Sequence, residues 1–252
     1  MNVKSKKVLL TGGTGKLGRA IIASGYFSLL KAPSHSELDI TDEAQVENYF
    51  KHEAMDTVIH CAAMARVIQC QENPVQAMKT NIIGTSHLVA AVLKTEKRMD
   101  KHIRFIHIST DGVYEGSKGN YSETDRLHPY NHYGWTKLGA ECAVHLLKNY
   151  CIIRTSFFDP KNISHETSAE DVYSSKLTLE ELARDIAWLA GESFVGVINV
   201  GGERKSDFER YRLFKPQIKP CKLDDYRKTA SIPLAQDASL NCNLWRMIQE
   251  KR

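Results

Sequence analysis

Residues 8–18 read VLLTGGTGKLG, and this stretch decides the fold. A short apolar run leads directly into glycines at positions 12, 15 and 18, and a helical pattern begins at Lys16. In a strand–turn–helix unit of this kind, the glycines permit a tight turn, close approach of the backbone to a pyrophosphate, and close packing of helix on strand. The first amides of the helix then face the phosphates. The segment therefore predicts a dinucleotide-binding loop built on Gly12, Gly15 and Gly18.

Further apolar, β-rich runs follow this loop at 57–63, 104–110, 151–155 and 195–200, and a second strand is expected near 27–30. Runs of this kind are typical of parallel strands buried on both faces. Helical patterns lie between them, from Lys16 to about Ser24, Pro74 to about Lys94, Tyr133 to about Lys148 and Leu179 to about Ala190. The alternation predicts an α/β protein with a doubly wound parallel sheet, the Rossmann fold. Residues 1–155 are predicted to form the dinucleotide-binding core, and residues 156–252 to complete the sheet and form a small substrate lobe.

Composition excludes several other classes of protein. The 252-residue chain has a formal net charge of +4 from dispersed Lys and Arg, whereas a nucleic-acid binder concentrates its charge in a patch. The six cysteines show neither zinc-ligand spacing nor a disulfide framework. No run approaches the roughly twenty apolar residues that a membrane span needs. We therefore expect a cytoplasmic protein with no metal, no nucleic-acid partner and no membrane association.

The residues after the expected second strand bear on the choice between NAD and NADP. An acid at the end of that strand binds the ribose hydroxyls of NAD, but Pro, Ser, His and Ser occupy residues 33–36. Lys31, Ser34 and His35 can accommodate a 2′-phosphate, which favours NADP. Glu37 and Asp39 stand about twenty residues beyond the glycines, at the spacing of a ribose-binding acid, so NAD stays open.

A second motif carries proton chemistry. Tyr133 and Lys137 stand four residues apart at the start of a predicted helix, so they share one helical face. A nearby positive charge lowers the pKa of a phenol, and such a phenol can give a proton to a carbonyl oxygen while hydride reaches the carbon. Thr110 ends the third run, at the sheet edge where ligands of α/β proteins bind, and its hydroxyl can hold the substrate oxygen. Asn81, a poor helix former inside a helical pattern, is a candidate support for Lys137 through backbone or water.

Together these residues resemble the extended short-chain dehydrogenase/reductases, and within that group most closely the dTDP-4-dehydrorhamnose reductases. The ordered set that carries the resemblance covers most of the chain. It comprises the glycine loop, residues 37–42, Cys61-Ala62-Ala63, Asn81 with Gly84, Ser109-Thr110-Asp111, Tyr133 with Lys137, residues 153–155 and residues 199–202.

The resemblance implies a role for each matching position. Thr110, Tyr133 and Lys137 would form the catalytic triad, with Asn81 in support. The implied cofactor contacts are Gly12, Thr14, Gly15, Lys16, Leu17, Gly18, Ser34, Asp39, Ile40, Cys61, Ala62, Ala63, Tyr133 and Lys137. Asp39 and Ile40 would meet the adenine rather than the ribose, which weakens the case for NAD. The candidate substrate contacts are Asp111, Val113, Arg154 and Arg204.

Two departures from the family pattern refine the expected activity. Gly112 stands where related sugar-nucleotide dehydratases carry the Glu that works with the preceding Asp, so dehydration is disfavoured. The chain is shorter than typical members, and the shortfall is expected in the C-terminal substrate lobe. The resemblance thus implies an NADP-dependent (or NAD-dependent) reductase of a nucleotide-linked 4-keto-6-deoxy sugar in deoxysugar biosynthesis. Two other functions stay open. One is a sugar-nucleotide epimerase, and the other is a non-catalytic NAD(P)-binding regulatory subunit, such as the relative that serves methionine adenosyltransferase. A homodimeric state also stays open.

Overall fold

Six parallel strands form the central sheet of the computed structural model, which describes residues 5–228 and 230–250. Across the sheet they run β2 (Leu29–Lys31), β1 (Lys7–Thr11), β3 (Thr57–His60), β4 (Arg104–Ile108), β5 (Tyr150–Arg154) and β10 (Gly196–Asn199). Every neighbouring pair is parallel. The chain steps from β1 to β2 on one side and to β3 on the other, so the strand order reverses between β1 and β3. The predicted doubly wound parallel sheet is confirmed, and its reversal point is where such sheets bind ligands.

Helices cover both faces of this sheet. Their bounds are α1 Lys16–Ser24, α2 Glu43–His52, α3 Val67–Glu72, α4 Pro74–Met78, α5 Gly84–Met99, α6 His132–Val144, α7 Leu179–Gly191, α8 Asp207–Arg212, α9 Leu223–Arg227 and α10 Asn243–Glu250. Helix α1 packs against α7, while α5 packs against both α2 and α6. Two apolar cores result, one on each face of the sheet. Among the described residues, no helix combines the length and the apolar character needed to cross a membrane.

Two helices differ from the sequence-based expectation. Helix α2 was not predicted, because only Val46 and Phe50 face the core, and its clearest signal is the Asp42 cap that accepts a hydrogen bond from the Gln45 amide at 3.0 Å. The predicted helix from Pro74 to about Lys94 is interrupted by a π-helical turn at Lys79–Ile83. Such turns occur frequently at functional sites. The interruption places Asn81, one of the predicted site residues, in the irregular turn.

The C-terminal region adds small pieces to the edge of the core. Three two-stranded sheets pair β6 (Phe157–Phe158) with β9 (Leu177–Thr178), β7 (Thr167–Ala169) with β12 (Lys219–Cys221), and β8 (Tyr173–Ser174) with β11 (Lys205–Ser206). The chain then returns to the loop after β4, where the Tyr121 amide donates to the Ser239 carbonyl at 3.0 Å. The Asn241 amide donates in turn to the Tyr121 carbonyl at 2.8 Å. The last segment is therefore bound to the first half of the chain.

Candidate active site

In the loop between β1 and α1, two glycine positions have no room for a Cβ atom. Gly12 has a left-handed φ of 74°, and a Cβ atom there would lie 2.6 Å from the backbone nitrogen of Ala62. A Cβ atom on Gly18 would lie 2.2 Å from the carbonyl oxygen of Gly12. Gly15 begins α1 as its N-cap and donates its amide to the Gly12 carbonyl at 3.0 Å. The turn is thus held tight, and the first amides of α1, which lack partners within the helix, remain to bind an anion.

A cavity of about 320 Å³ lies over this loop at the carboxyl ends of β1 and β3. It brings together most of the predicted cofactor contacts, which arrive from separate loops. The lining residues are Thr11, Gly12, Gly13, Thr14, Gly15, Pro33, His35, Leu38, Asp39, Ile40, Thr41, Cys61, Ala62, Ala63, Gln76 and Thr80. A glycine cradle that a Cβ atom would fill, at the start of a helix, fits the pyrophosphate of a dinucleotide.

Several predicted cofactor residues lie differently from the expectation. Leu17 is buried in the apolar core, so it offers a ligand only its backbone amide, and Lys16 points to solvent near Asp159. Ser34 does not line the cavity, because its amide and its hydroxyl both donate to the Glu37 carboxylate at 2.7 Å. Lys31 is also occupied, in a 2.5 Å ion pair with Glu53. Ser34 and Lys31 are therefore turned toward Glu37 and Glu53 in this structure, and their contact with a 2′-phosphate stays a prediction.

A second cavity of about 590 Å³ lies on the side of the C-terminal region. Aromatic and hydroxyl side chains share its walls with apolar residues and a few ionisable groups. The lining residues include Asp111, Tyr130, Ser156, His165, Tyr173, Lys176, Asp207, Tyr211, Tyr226 and Ile232. The Lys176 ammonium donates to both Asp207 oxygens, at 2.7 and 2.9 Å, and to the Tyr211 hydroxyl at 3.1 Å. No short motif signals this wall, because its residues come from several elements far apart in the chain.

The predicted triad residues line neither of these two cavities, but residues beside them line both. Thr110 accepts the Gly112 amide at 3.1 Å and donates to Asp111, which lines the second cavity. Lys137 is only 3% exposed and affects the pKa of Cys61, which lines the first cavity. Tyr133 lies close enough to Asp111 for that carboxyl to shift its pKa. The structure thus brings Tyr133 to Thr110, which lies 23 positions earlier in the sequence, and Lys137 follows one turn further along α6.

The pKa values of Tyr133 and Lys137 are shifted differently from the sequence-based expectation. Burial raises the pKa of the Tyr133 phenol, Asp111 and Cys70 raise it further, and the hydrogen bond with Thr110 opposes them in part. The prediction that this phenol has a lowered pKa is therefore wrong for these surroundings. Burial also lowers the pKa of Lys137 to about 8, although Glu141 and Cys61 act in the other direction. At neutral pH the site consequently holds a protonated phenol and an ammonium that is close to titrating.

Asn81 connects the triad helix to the loop after β3. Its side-chain oxygen accepts the Met64 amide at 2.7 Å, and its side-chain nitrogen donates to the Met64 carbonyl at 3.1 Å. The same nitrogen donates to the Thr136 hydroxyl at 2.8 Å. Thr136 precedes Lys137 and donates to the Tyr133 carbonyl at 2.8 Å. Asn81 therefore contacts α6 through Thr136, within the turn that carries Tyr133 and Lys137.

The predicted substrate contacts separate into two groups. Asp111 lines the second cavity, and Arg204 lies beside it, with its guanidinium 3.7 Å from the centre of the Tyr173 ring and its Nε donating to Asp237 at 2.8 Å. Val113 is corrected, because its side chain is completely buried in the apolar core.

Arg154 is corrected for a different reason, since its guanidinium is occupied. Nη2 donates to the Glu141 carboxylate at 2.7 Å, Nη1 donates to the Tyr114 hydroxyl at 3.0 Å, and the side chain is 4% exposed. The Ser109 hydroxyl also donates to Glu141. Arg154 therefore belongs to a buried ion pair beneath the site and does not face a ligand.

Comparison with known proteins gives a consistent picture. Residues 6–162 match the family model described as the RmlD substrate binding domain. A dTDP-4-dehydrorhamnose reductase from Aggregatibacter actinomycetemcomitans is 32% identical over 157 residues, which cover 60% of this chain and 51% of that protein. The beta subunit of methionine adenosyltransferase 2 from Xenopus laevis is 30% identical over 155 residues, which cover 57% of this chain and 44% of that one. The chain thus spans about half the length of the curated relatives it matches.

A solved structure extends the likeness over the whole fold. The crystal structure of a hypothetical dTDP-4-dehydrorhamnose reductase from Sulfolobus tokodaii aligns with a TM-score of 0.82 and 29% identity. The alignment covers 96% of this chain and 94% of that one. It therefore includes the C-terminal region in which the sequence predicts a shortfall.

Proposed function

Since the chain belongs to the family of the RmlD substrate-binding domain, we propose that it reduces the keto carbon of a nucleotide-linked 4-keto-6-deoxy sugar with NADPH or NADH. One observation carries the proposal: neighbours of Thr110, Tyr133 and Lys137 line two cavities, with Cys61 lining the one built on the glycine loop and Asp111 lining a second one large enough for a sugar. The names of the relatives from Aggregatibacter and Sulfolobus support the same substrate class. The cytoplasmic location and the homodimer stay predictions from the sequence.

The chain supplies the binding site and the proton, and a bound nicotinamide cofactor supplies hydride. Gly12, Gly15 and the first amides of α1 hold the pyrophosphate, and Cys61, Ala62 and Ala63 line the rest of the cofactor site. In the loop after β2, His35 lines this cavity and can contact a 2′-phosphate.

Proton transfer falls to Tyr133. Its raised pKa keeps the phenol protonated at neutral pH, so a proton is available for the developing alkoxide. The Thr110 hydroxyl, which donates to Asp111 in this structure, would turn its proton to the carbonyl oxygen and so orient that oxygen toward the phenol. The Lys137 ammonium stabilises the phenolate that remains after the proton has left, because opposite charges at short range favour the ionised form.

A substrate screen tests this proposal. Oxidation of NADPH and of NADH is followed with dTDP-, GDP- and UDP-linked 4-keto-6-deoxy sugars, and we expect net oxidation with at least one of them. Interconversion of sugars without net oxidation would instead identify an epimerase.

A regulatory subunit is the second candidate, and the 30% identical beta subunit of methionine adenosyltransferase 2 is the observation that favours it. For such a protein we expect tight binding of NADP or NAD by calorimetry, together with no oxidation for any sugar in the panel. The two measurements on one preparation separate the candidates.

The pH profile is a prediction of its own. The folded-state pKa of Lys137 lies at about 8, below its ordinary value, so the ammonium is present below that pH and is lost as pH rises through it. We expect kcat for carbonyl reduction to be level near neutral pH and to fall as pH rises through about 8. Steady-state kcat measured at saturating substrate across the neutral and alkaline range checks this, and a level profile through pH 8 contradicts it.

A further inference from the structure

His107 is a buried histidine directly beneath the triad. It lies on β4, three residues before Thr110, and its side chain has no exposed surface. Its Nε2 atom is 3.2 Å from Nζ of Lys137. A lysine ammonium offers only N–H donors and no acceptor. Lys137 must therefore donate to Nε2, which assigns the proton of the neutral ring to Nδ1.

The neighbouring histidine cannot take this role. His60 lies opposite His107 in the sheet, with ring centres 5.2 Å apart. The Thr85 hydroxyl gives its one proton to the Asn81 carbonyl at 2.6 Å, so it accepts from Nε2 of His60 at 2.9 Å. Nδ1 of His60 is then left to accept from the Thr11 hydroxyl at 2.7 Å. Both nitrogens of His60 are used, and His107 is the imidazole that faces Lys137.

One nitrogen of the buried His107 ring has no hydrogen-bond partner in the described part of the chain, so the other nitrogen makes the ring's polar contact there. Nδ1 of His107 is buried and has no hydrogen-bond partner among residues 5–228 and 230–250. A buried N–H donor without a partner is unfavourable. The contact through Nε2 is thus the polar interaction that this side chain makes within the described part of the chain.

We propose that His107 is a positioning residue that keeps the Lys137 ammonium protonated and aimed at the reaction site by accepting a hydrogen bond from it. The proposal rests on the proposed reductase function, in which the Lys137 charge supports proton donation by Tyr133. The neutral imidazole supplies a directed hydrogen-bond acceptor, whereas Glu141 acts on the ammonium through its charge.

The charged and titratable groups around Lys137 determine whether its pKa rises or falls when His107 is replaced. Glu141 faces it from its own helix, His107 from β4, and His60 and Cys61 from β3 and the loop that follows. Burial holds the pKa of both imidazoles below the ordinary value, with Lys137 acting in the same direction. Both rings are therefore neutral near pH 7. Removal of the His107 acceptor leaves the ammonium less solvated, so the pKa of Lys137 must fall.

Two substitutions separate positioning from mere packing. His107→Leu removes the acceptor, and we expect the alkaline fall of kcat to occur about one pH unit lower than in the wild type. At a pH well above 8, kcat should therefore be about tenfold lower than that of the wild type. In mildly acidic buffer, kcat should change little. His107→Gln restores a carbonyl acceptor and should move the limb back toward the wild-type position. Ile106→Val, a change in the neighbouring buried residue of β4, is the matched control and should leave the limb in place. An equal loss at every pH in His107→Leu, or a limb that does not move, overturns the proposal.

A measurement without substrate keeps this test independent of the proposed function. In protein with ¹³C-labelled lysine, the Lys137 signal, assigned by its loss in Lys137→Met, should titrate near pH 8 in the wild type and lower in His107→Leu. In protein with ¹⁵N-labelled histidine, His107 should show a protonated Nδ1 and an unprotonated Nε2. A proton on Nε2, or an unchanged Lys137 titration, overturns the role of His107 even when the sugar reductase is active. The expected titrations together with no turnover would refute the reductase and leave the His107 contact standing.

Discussion

The Tyr133→Phe variant is expected to lose about 10²- to 10⁴-fold in kcat while its affinity for NADPH stays close to that of the wild type, because a positioned general acid contributes that much. Phenylalanine keeps the aromatic ring and removes only the hydroxyl that carries the proton. The glycine loop and the cavity above it are unchanged, so the cofactor should still bind. Steady-state kinetics with the active sugar, together with calorimetric titration of NADPH, measures both quantities.

A matched tyrosine controls for the loss of a hydroxyl. Tyr150→Phe removes a hydroxyl that contacts His145 at the protein surface, away from both cavities, and should leave kcat unchanged. Turnover in Tyr133→Phe within a few fold of the wild type would show that another group delivers the proton.

The second large effect concerns stability. Arg154→Met is expected to lower the free energy of unfolding by about 3–5 kcal/mol, because loss of one partner leaves the other charge buried and unpaired. Within residues 5–228 and 230–250, the Glu141 carboxylate would keep one hydrogen bond, from the Ser109 hydroxyl, with the Lys137 ammonium as its remaining charged neighbour, and the Tyr114 hydroxyl would lose a donor. Urea unfolding followed by circular dichroism gives the midpoint and the free energy.

A double-mutant cycle distinguishes this mechanism from simple loss of packing. The variant Glu141→Leu/Arg154→Met removes both charges, and replacement of a buried pair by apolar groups is often tolerated. We therefore expect the double variant to be more stable than Arg154→Met alone. Additive losses in the cycle would show that the two side chains act independently.

The sequence determines much of the fold through local patterns. The glycine loop, the buried runs and the start of α1 at Lys16 depend on neighbouring residues, and each appears where it was predicted. Helix α2 was missed because a short helix that buries two side chains has little periodicity. The π-helical turn around Asn81 was missed because no local rule separates one extra residue in a turn from a continuous helix.

The site shows a similar division. Thr110, Tyr133 and Lys137 follow from position at a sheet edge and from helical spacing, and the structure brings Tyr133 to Thr110. The state of the Tyr133 phenol could not be predicted, because its pKa depends on burial and on Asp111 rather than on its spacing from Lys137. The role of Arg154 could not be predicted either, because an arginine at the end of a strand can form a buried ion pair or contact a ligand.

The return of the C-terminal segment to the loop after β4 has a consequence for how the chain reaches its folded state. The Asn120 amide donates to the Ser239 hydroxyl at 2.8 Å, across 119 positions of sequence. Closing this loop costs chain entropy before the contact stabilises anything, and such non-local pairings slow folding. During synthesis, the first half of the chain must wait with this docking edge open until residues 239–241 have been made.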